Sequence, residues 1–231
     1  MAQPISNISH KYKDNERNYN YQISIAMDLP KQKDPSVKES LIRDKKKGIL
    51  YMIFLSRICR KKNLDGALKL IAGLEGEIKY NIYGPLEDLS YWKVCQKIID
   101  NLPRNITVNY CGEVPHEQVE NVFSEHDLFF FPTHGENYGH VIMEALSAGC
   151  PVLISNQTPW RNLESIGVGW DVDLGDTDRI RAILQRCVDM GAEEHKKLSR
   201  RALAYGMERS IDPDILEQNR KLFRITGLRN K

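Results

Sequence analysis

The sequence predicts an α/β protein built on a parallel sheet of about six strands with helices on both faces. Three observations carry this. Short apolar runs recur along the middle of the chain, each is followed by a helical pattern, and the runs are nearly continuous rather than alternating. Strands and helices in alternation imply right-handed crossovers and hence parallel pairing. Continuous apolar runs suit strands covered on both faces.

In chain order, "ILYMIFLS" (49–56) reads as the first strand. "NLDGALKLIAGL" (63–74) follows as a helix with Leu64, Ala67, Leu68 and Ile71 on one face. "IKYNIYG" (78–84) is the second strand, with a helix around 88–101 behind it. "ITVNYCG" (106–112) is the third, followed by a short helix around 116–124. "DLFFFP" (127–132) is the fourth, and the passage "HGENYGHVIMEALSAGC" carries the next turn and helix. At 100° per residue, Val141, Ile142, Ala145 and Leu146 form its apolar arc, and Glu144 falls on the flank. "PVLIS" (151–155) is the fifth strand and "GWDVD" (169–173) a sixth.

The ends differ. Residues 1–47 are polar and irregular, with "LPKQKDPS" reading as linker and "RDKKKG" as a charge run of the kind that is usually a solvated loop. From about 192 the chain is helical, with a break at Asp212-Pro213. This divides the chain into 1–30, a linker at 31–47, a central domain at 48–191 and C-terminal helices at 192–231.

Of 231 residues, 41% are apolar and 28% charged, enough for a buried core and against global disorder. With 33 basic and 31 acidic side chains the net charge is +2, which gives no reason to expect a nucleic-acid partner. The five scattered cysteines include no Cys-x-x-Cys, which argues against a zinc ribbon or disulfide framework and for a reducing compartment. The N-terminus has no apolar signal core, so a cytoplasmic protein is expected.

In an open parallel sheet, ligands sit at the carboxyl ends of the strands. Strand one ends in "SRICRKKN", bringing Arg57, Arg60, Lys61 and Lys62 to that edge. Strand two ends at Gly84, strand three in "CGEVP", strand four in "PTHGENYG". Gly139 and His140 open a helix whose free N–H groups favour a phosphate. Together these form a diphosphate site with no obligatory metal and no other cofactor. Each feature alone has a plainer reading: surface lysines, glycines that serve the backbone, a packed histidine, a solvated flank carboxylate. Their combination at one edge raises the functional reading.

These residues resemble retaining glycosyltransferases of the GT-B fold, family 4 type. Glu136 and Glu144 stand eight apart, like that family's Glu-x7-Glu motif, and "GENYGHVIMEALSAGCPVL" is similar to the block around it. "FLSRICRKKNLDGALKLI" resembles its Arg/Lys element, with Arg57 and Lys62 at matching spacing, and "IYGP", "YCGEVPHEQV" and "SNQTPWRNL" also have counterparts. The likeness covers roughly residues 22–190. It implies a Rossmann-like domain, the C-terminal, nucleotide-sugar-binding half of such an enzyme. By this analogy Arg57 and Lys62 neutralise the donor diphosphate and Glu144 accepts from the ribose hydroxyls. Glu136, with Asn137, Tyr138 and Gly139, addresses the transferred sugar, and backbone near Val114 holds the base. Gly84 and His140 complete the donor contacts.

Departures from the pattern are Ser56 and Asn63, where the family has Gly, and Tyr138, where it often has Phe. "QISIAMDLP" (22–30) resembles the family's interdomain hinge, so residues 1–21 read as the last piece of a first, acceptor-binding domain. The expectation is half of an enzyme, a truncated product, or one subunit whose partner carries the N-terminal domain. A non-catalytic nucleotide-sugar-binding module is the alternative. A polysaccharide or glycolipid acceptor follows by analogy, and a lipid-linked one would bring the chain to a membrane surface. Without the other half, "YWKVCQ" (91–96) or the tail "KLFRITGL" is expected to pack on a partner. "DVD" (171–173), "DTD" (176–178) and "DPD" (212–214) resemble the chelating triplet of metal-dependent GT-A enzymes, but they follow the last strand or open helices, where Asp is a common cap.

Overall fold

The computed structural model describes residues 42–210. The hinge at 22–30, the linker up to residue 41, the "DPD" triplet and the tail "KLFRITGL" lie outside them.

Six strands form one wholly parallel sheet: β1 (Ile49–Leu55), β2 (Glu77–Tyr83), β3 (Ile106–Gly112), β4 (Leu128–Phe131), β5 (Val152–Ser155) and β6 (Gly169–Val172). Their order across the sheet is β3-β2-β1-β4-β5-β6. Strands one to three progress one way and four to six the other, so the chain reverses direction between β1 and β4. The fold is thus the Rossmann-like α/β sheet expected.

Among the described residues five α-helices connect the strands, α1 (Leu64–Ile71), α2 (Leu89–Ile99), α3 (His116–Ser124), α4 (His140–Ser147) and α5 (Leu163–Ile166), and two follow β6, α6 (Thr177–Asp189) and α7 (Ala192–Ser210). Helix α1 packs with α2 and α6, whereas α4 packs with α3 and α7. These groups cover opposite faces. All four residues of β4 are buried, and the Phe129 and Phe131 rings stack at 5.2 Å, with Phe54 edge-on to Phe131 at 5.6 Å. The predicted helix faces pack as read: Leu64, Ala67, Leu68 and Ile71 in α1 are buried, as are Ile142, Ala145 and Leu146 in α4, with Val141 at the margin.

Two expectations hold only in part, for physical reasons. The charge run at 43–48 is not simply solvated. Lys45 is buried and its ammonium donates to the carbonyls of Ile49 (2.8 Å), Lys46 (3.2 Å) and Val188 (3.3 Å). Burial pushes its pKa down, against the pull of Asp127. Arg43 lies 3.6 Å over the Tyr51 ring and pairs with buried Asp127 (2.7 Å), whose other oxygen accepts from the Tyr51 N–H (2.8 Å). The run therefore clamps the amino end of the sheet. Similarly, "YWKVCQ" is only partly open to a partner: Tyr91 and Cys95 are buried, and the Tyr91 hydroxyl donates to Asp65 (2.6 Å), whereas Lys93, Val94 and Gln96 are exposed.

Helix α7 is anchored at the same pole. His195 is buried and its Nε2 lies 3.0 Å from the Asp127 carbonyl, which can only accept, so Nε2 carries the proton. Gly206 lets α7 approach α4, since a Cβ there would lie 2.4 Å from the Ser147 nitrogen. His126, at the entry to β4, donates from Nδ1 to the Val122 carbonyl (2.6 Å) and accepts from Asn81 at Nε2 (2.9 Å).

Burial holds His126 and His195 below the ordinary imidazole value of 6.5; the Val122 carbonyl opposes it for the first, Asp127 for the second. The unfolded chain binds protons on these rings at a pH where the folded chain does not. Their contribution to stability is therefore fully present above about pH 6.5 and lost as pH falls below it. Thermal melts should show Tm falling between pH 7.5 and 5.5, at roughly 2–4 °C per kcal/mol lost in a domain of this size. The fall should be smaller in His126→Gln; an unchanged slope in that variant would contradict the assignment.

Candidate functional site

The reversal between β1 and β4 opens a crevice at the carboxyl edge, because the loops leaving these strands turn to opposite faces of the sheet. The sequence places its cations after β1 and its first carboxylate after β4, so both enter this crevice.

The edge is laced from one side to the other by hydrogen bonds between successive exit loops. Gly84 N–H donates to Gly112 O (2.8 Å), Ser56 N–H to Tyr83 O (3.1 Å) and Ile58 N–H to Pro85 O (2.9 Å). Across the crevice, His134 N–H and the Thr133 hydroxyl both donate to Lys61 O (2.8 and 3.1 Å), and the Asn63 amide donates to Pro132 O (2.8 Å). Farther on, Ser155 Oγ donates to Thr133 O (2.5 Å), Glu136 N–H to Gln157 O (3.2 Å) and Asn156 N–H to Val172 O (2.8 Å). The loop backbones are thereby fixed, leaving side chains as the adjustable parts.

Lys62 and Glu136 form an ion pair across the crevice, their side chains only 7% and 16% exposed. The Lys62 ammonium also lies 5.5 Å from the centre of the Phe131 ring. The two residues expected to grip different parts of one ligand grip each other here. Arg57 turns the other way and pairs with Glu87, with both side chains roughly 40% exposed (39% and 44%). Arg57 and Lys62 thus share the edge, each paired with a carboxylate of the protein.

The turn Glu136–Gly139 leads into α4. Gly139 takes φ +77°, and a Cβ there would meet Ile142 Cδ1 at 2.8 Å, so glycine is required by both conformation and space. The turn is held from behind by Trp160, whose Nε1 donates to Tyr138 O (2.7 Å). The N-cap of α4 is Gly139, which has no side chain to cap the helix, so the first N–H groups lack a cap from that residue. His140 packs on the Tyr138 ring at 4.4 Å. Burial lowers its pKa, with Glu136 opposing, which keeps the imidazole neutral.

One turn into α4, Glu144 is 19% exposed rather than the solvated flank residue its position suggests. Burial pushes its pKa up, and His116, with Nδ1 at 3.8 Å from its carboxylate, pulls it down. His116 opens α3, adjacent to α4, and sequence reasoning did not single it out; the only signal was its position just past the exit of β3. Val114, in the same exit loop, packs against the core, whereas Asn137 is exposed. Gly84, expected to allow ligand approach, allows a closer approach by the protein itself: at φ +128°, a Cβ would lie 2.0 Å from the Ser56 carbonyl. The aspartates of the described triplets serve local turns, Asp171 accepting from Leu163 N–H (2.9 Å), Asp173 from Gly175 N–H (2.7 Å) and Asp176 from Arg179 N–H (3.2 Å).

An open parallel α/β sheet with paired carboxylates and cations around its switch point defines the class of protein. The chain belongs to the glycosyl transferases group 1 family, whose model matches residues 16–208. The O-antigen chain mannosyltransferase B of Escherichia coli is 29% identical over 147 residues, covering 60% of this chain and 37% of that protein. Among solved structures, HepE of Anabaena in complex with UDP-glucose matches with a TM-score of 0.61 at 17% identity, covering 83% of this chain and 53% of that one. Sucrose-phosphate synthase of Thermosynechococcus elongatus matches with a TM-score of 0.60 at 16% identity, covering 85% and 49%. The structural matches speak to the fold, which is that of GT-B glycosyltransferases. The chain spans about half or less of the length of these relatives. No helix among the described residues is long and apolar enough to cross a membrane.

Asn63 deserves a local test because it is one of two non-glycine residues at positive φ (57°) among those described, and it sits beside Lys62. Its side chain fills the space left by Gly66, where a Cβ would meet Asn63 Oδ1 at 2.3 Å. Gly66→Ala should therefore destabilise the wild type by displacing the clamp to Pro132. In an Asn63→Gly background the same change should instead stabilise, by roughly 0.5–1 kcal/mol of helix propensity. Denaturant unfolding of the four proteins would show this reversal of sign, and simple additivity would refute the coupling.

Proposed function

We propose that this chain is the donor-binding half of a glycosyltransferase that moves a sugar from a nucleoside-diphosphate sugar to an acceptor, with retention at the anomeric carbon. The observation that carries the reading is the gathering of Lys62, Glu136 and the uncapped start of α4 in the switch-point crevice, with Glu144 one turn along the same helix. Membership of the family supports sugar transfer, and the names of the mannosyltransferase relative and the UDP-glucose complex make a hexose donor the favoured class.

In this reading the diphosphate lies between Lys62 and the first N–H groups of α4, with Arg57 at its outer side. As the sugar leaves, negative charge grows on the diphosphate, and fixed cations and aligned N–H dipoles stabilise it without reorganisation. Such a leaving group needs no resident metal. Glu144 accepts from the ribose hydroxyls, and its shielded position strengthens those bonds. Glu136 and the turn Asn137–Gly139 address the sugar hydroxyls, with Tyr138 and His140 walling the turn. Gly84 and Val114 border the base. A donor phosphate oxygen assists the acceptor hydroxyl, so no protein nucleophile is required. The reading concerns the donor side of the reaction; a polysaccharide or a lipid-linked glycan is the proposed acceptor class.

Calorimetry with UDP, GDP and ADP tests the site. One nucleotide should bind the wild type, and Glu144→Ala should weaken it about tenfold, the worth of a charge-assisted hydrogen bond. Lys62→Ala should weaken the nucleoside diphosphate about tenfold while leaving the matching nucleoside unchanged, and Arg57→Ala should act in the same direction but less. Binding of none of the three nucleotides would sink the reading, and equal losses for nucleotide and nucleoside would overturn the roles of the cations.

A further inference from the structure

Both cations assigned to the diphosphate are already neutralised by carboxylates of the protein, Arg57 by Glu87 and Lys62 by Glu136. The two pairs are not equivalent. The Arg57–Glu87 pair is roughly 40% exposed (39% and 44%), so water and salt screen it and its exchange for another anion changes little. The Lys62–Glu136 pair is 7% and 16% exposed, where removing one partner leaves the other charge poorly solvated.

We infer that Glu136 makes the site discriminate between the sugar-linked nucleotide and the free nucleoside diphosphate, by competing with the diphosphate for Lys62. This rests on the donor-site reading above. A diphosphate that reaches Lys62 sets a second anion beside the Glu136 carboxylate and competes with it for the shielded ammonium. The Glu136 N–H is bonded to Gln157 O (3.2 Å), and the Tyr138 carbonyl two residues on accepts from Trp160 Nε1 (2.7 Å), so the backbone of the turn is held and the Glu136 side chain is the part free to swing. When the ligand carries a sugar, its hydroxyls are donors that receive the displaced carboxylate. When the ligand ends at the diphosphate, no such donors arrive, and the carboxylate is left beside a second anion. His140 offers little relief, because burial disfavours the charged form of its ring. The pair therefore re-forms at the expense of the free nucleotide. After transfer the site loses the hydroxyls that held Glu136 away from Lys62, and the return of Glu136 to Lys62 expels the product.

The test is calorimetry on the full chain with the nucleotide that the wild type binds among UDP, GDP and ADP, alongside UDP-glucose, GDP-mannose or ADP-glucose to match. In Glu136→Gln the free nucleotide should bind about tenfold tighter, since its charged competitor is gone. The sugar-linked form should not gain, so the ratio of the two dissociation constants reverses by about tenfold or more. The ratio is taken on one preparation, so a partly misfolded sample does not distort it. Glu136→Ala should tighten the free nucleotide in the same way. Glu87→Gln should move both ligands by less than about threefold. The inference fails if Glu136→Gln changes both ligands by one factor, or if Glu87→Gln reproduces its effect. A wild type that binds no nucleotide removes the donor-site reading and this inference with it. Binding with an unaltered ratio removes the inference alone.

Discussion

A parallel strand can be followed by a parallel neighbour only if the chain crosses back over the sheet, and every crossover here begins at the same edge. That constraint organises the molecule. It buries β1 and β4 on both faces, which is why their residues are almost entirely apolar. It also sends all six exits to one side, where their backbones would lose solvent contacts unless they bonded to one another. The lacing from Gly112 through Gly84, Ser56, Lys61, Thr133, Gln157 and Val172 satisfies those groups. The same lacing sets the walls of the crevice, so the rigidity of the site follows from satisfying the backbone of the loops that form it.

The two poles of the sheet treat charge differently. At the amino pole, Lys45 donates to three carbonyls, Asp127 accepts from a backbone N–H and from Arg43, and His195 donates to a carbonyl. Apart from the Arg43–Asp127 pair these partners are backbone groups, which cannot rotate away, and they hold β1, β4 and α7 together. At the carboxyl pole, the cations are met by side chains, Lys62 by Glu136 and Arg57 by Glu87. Side-chain partners can rotate away when another anion or donor arrives. Both cations of the proposed donor site, Lys62 and Arg57, are held by partners of this replaceable kind.

Much of this was legible in the sequence, and what was not has definite causes. Strands announced themselves as apolar runs, and α1 and α4 as apolar arcs, because periodicity reports burial directly. Glu136 and Glu144 were visible because they stand eight positions apart, one in a turn and one in the helix that follows it. The Lys62–Glu136 pair was not, since its members lie 74 positions apart and meet only because β1 neighbours β4. Arg57 and Glu87 meet for the corresponding reason through β2. Lys45 and Tyr91 were misjudged because composition sees a charge or a hydroxyl and not the carbonyls or carboxylate that satisfy it. Gly84 was read as leaving space for a ligand, whereas the adjacent strand occupies that space. His116 reached Glu144 only through the packing of α3 on α4.

Lysine is rarely buried without a partner, and Lys62 has to be shielded to act strongly on a diphosphate. A site built this way cannot simply wait empty, because the same shielding that strengthens the cation makes it costly to leave unpaired. The protein must therefore hold an anion of its own at Lys62, and that anion must have somewhere to go when the ligand comes. A carboxylate in the turn before α4 meets both demands: it lies within reach of Lys62, and it borders the space where a sugar joined to the diphosphate would sit. Under the proposed donor-site reading, the position of Glu136 follows from the electrostatics of Lys62 as much as from recognition of a sugar, and a single carboxylate would serve both.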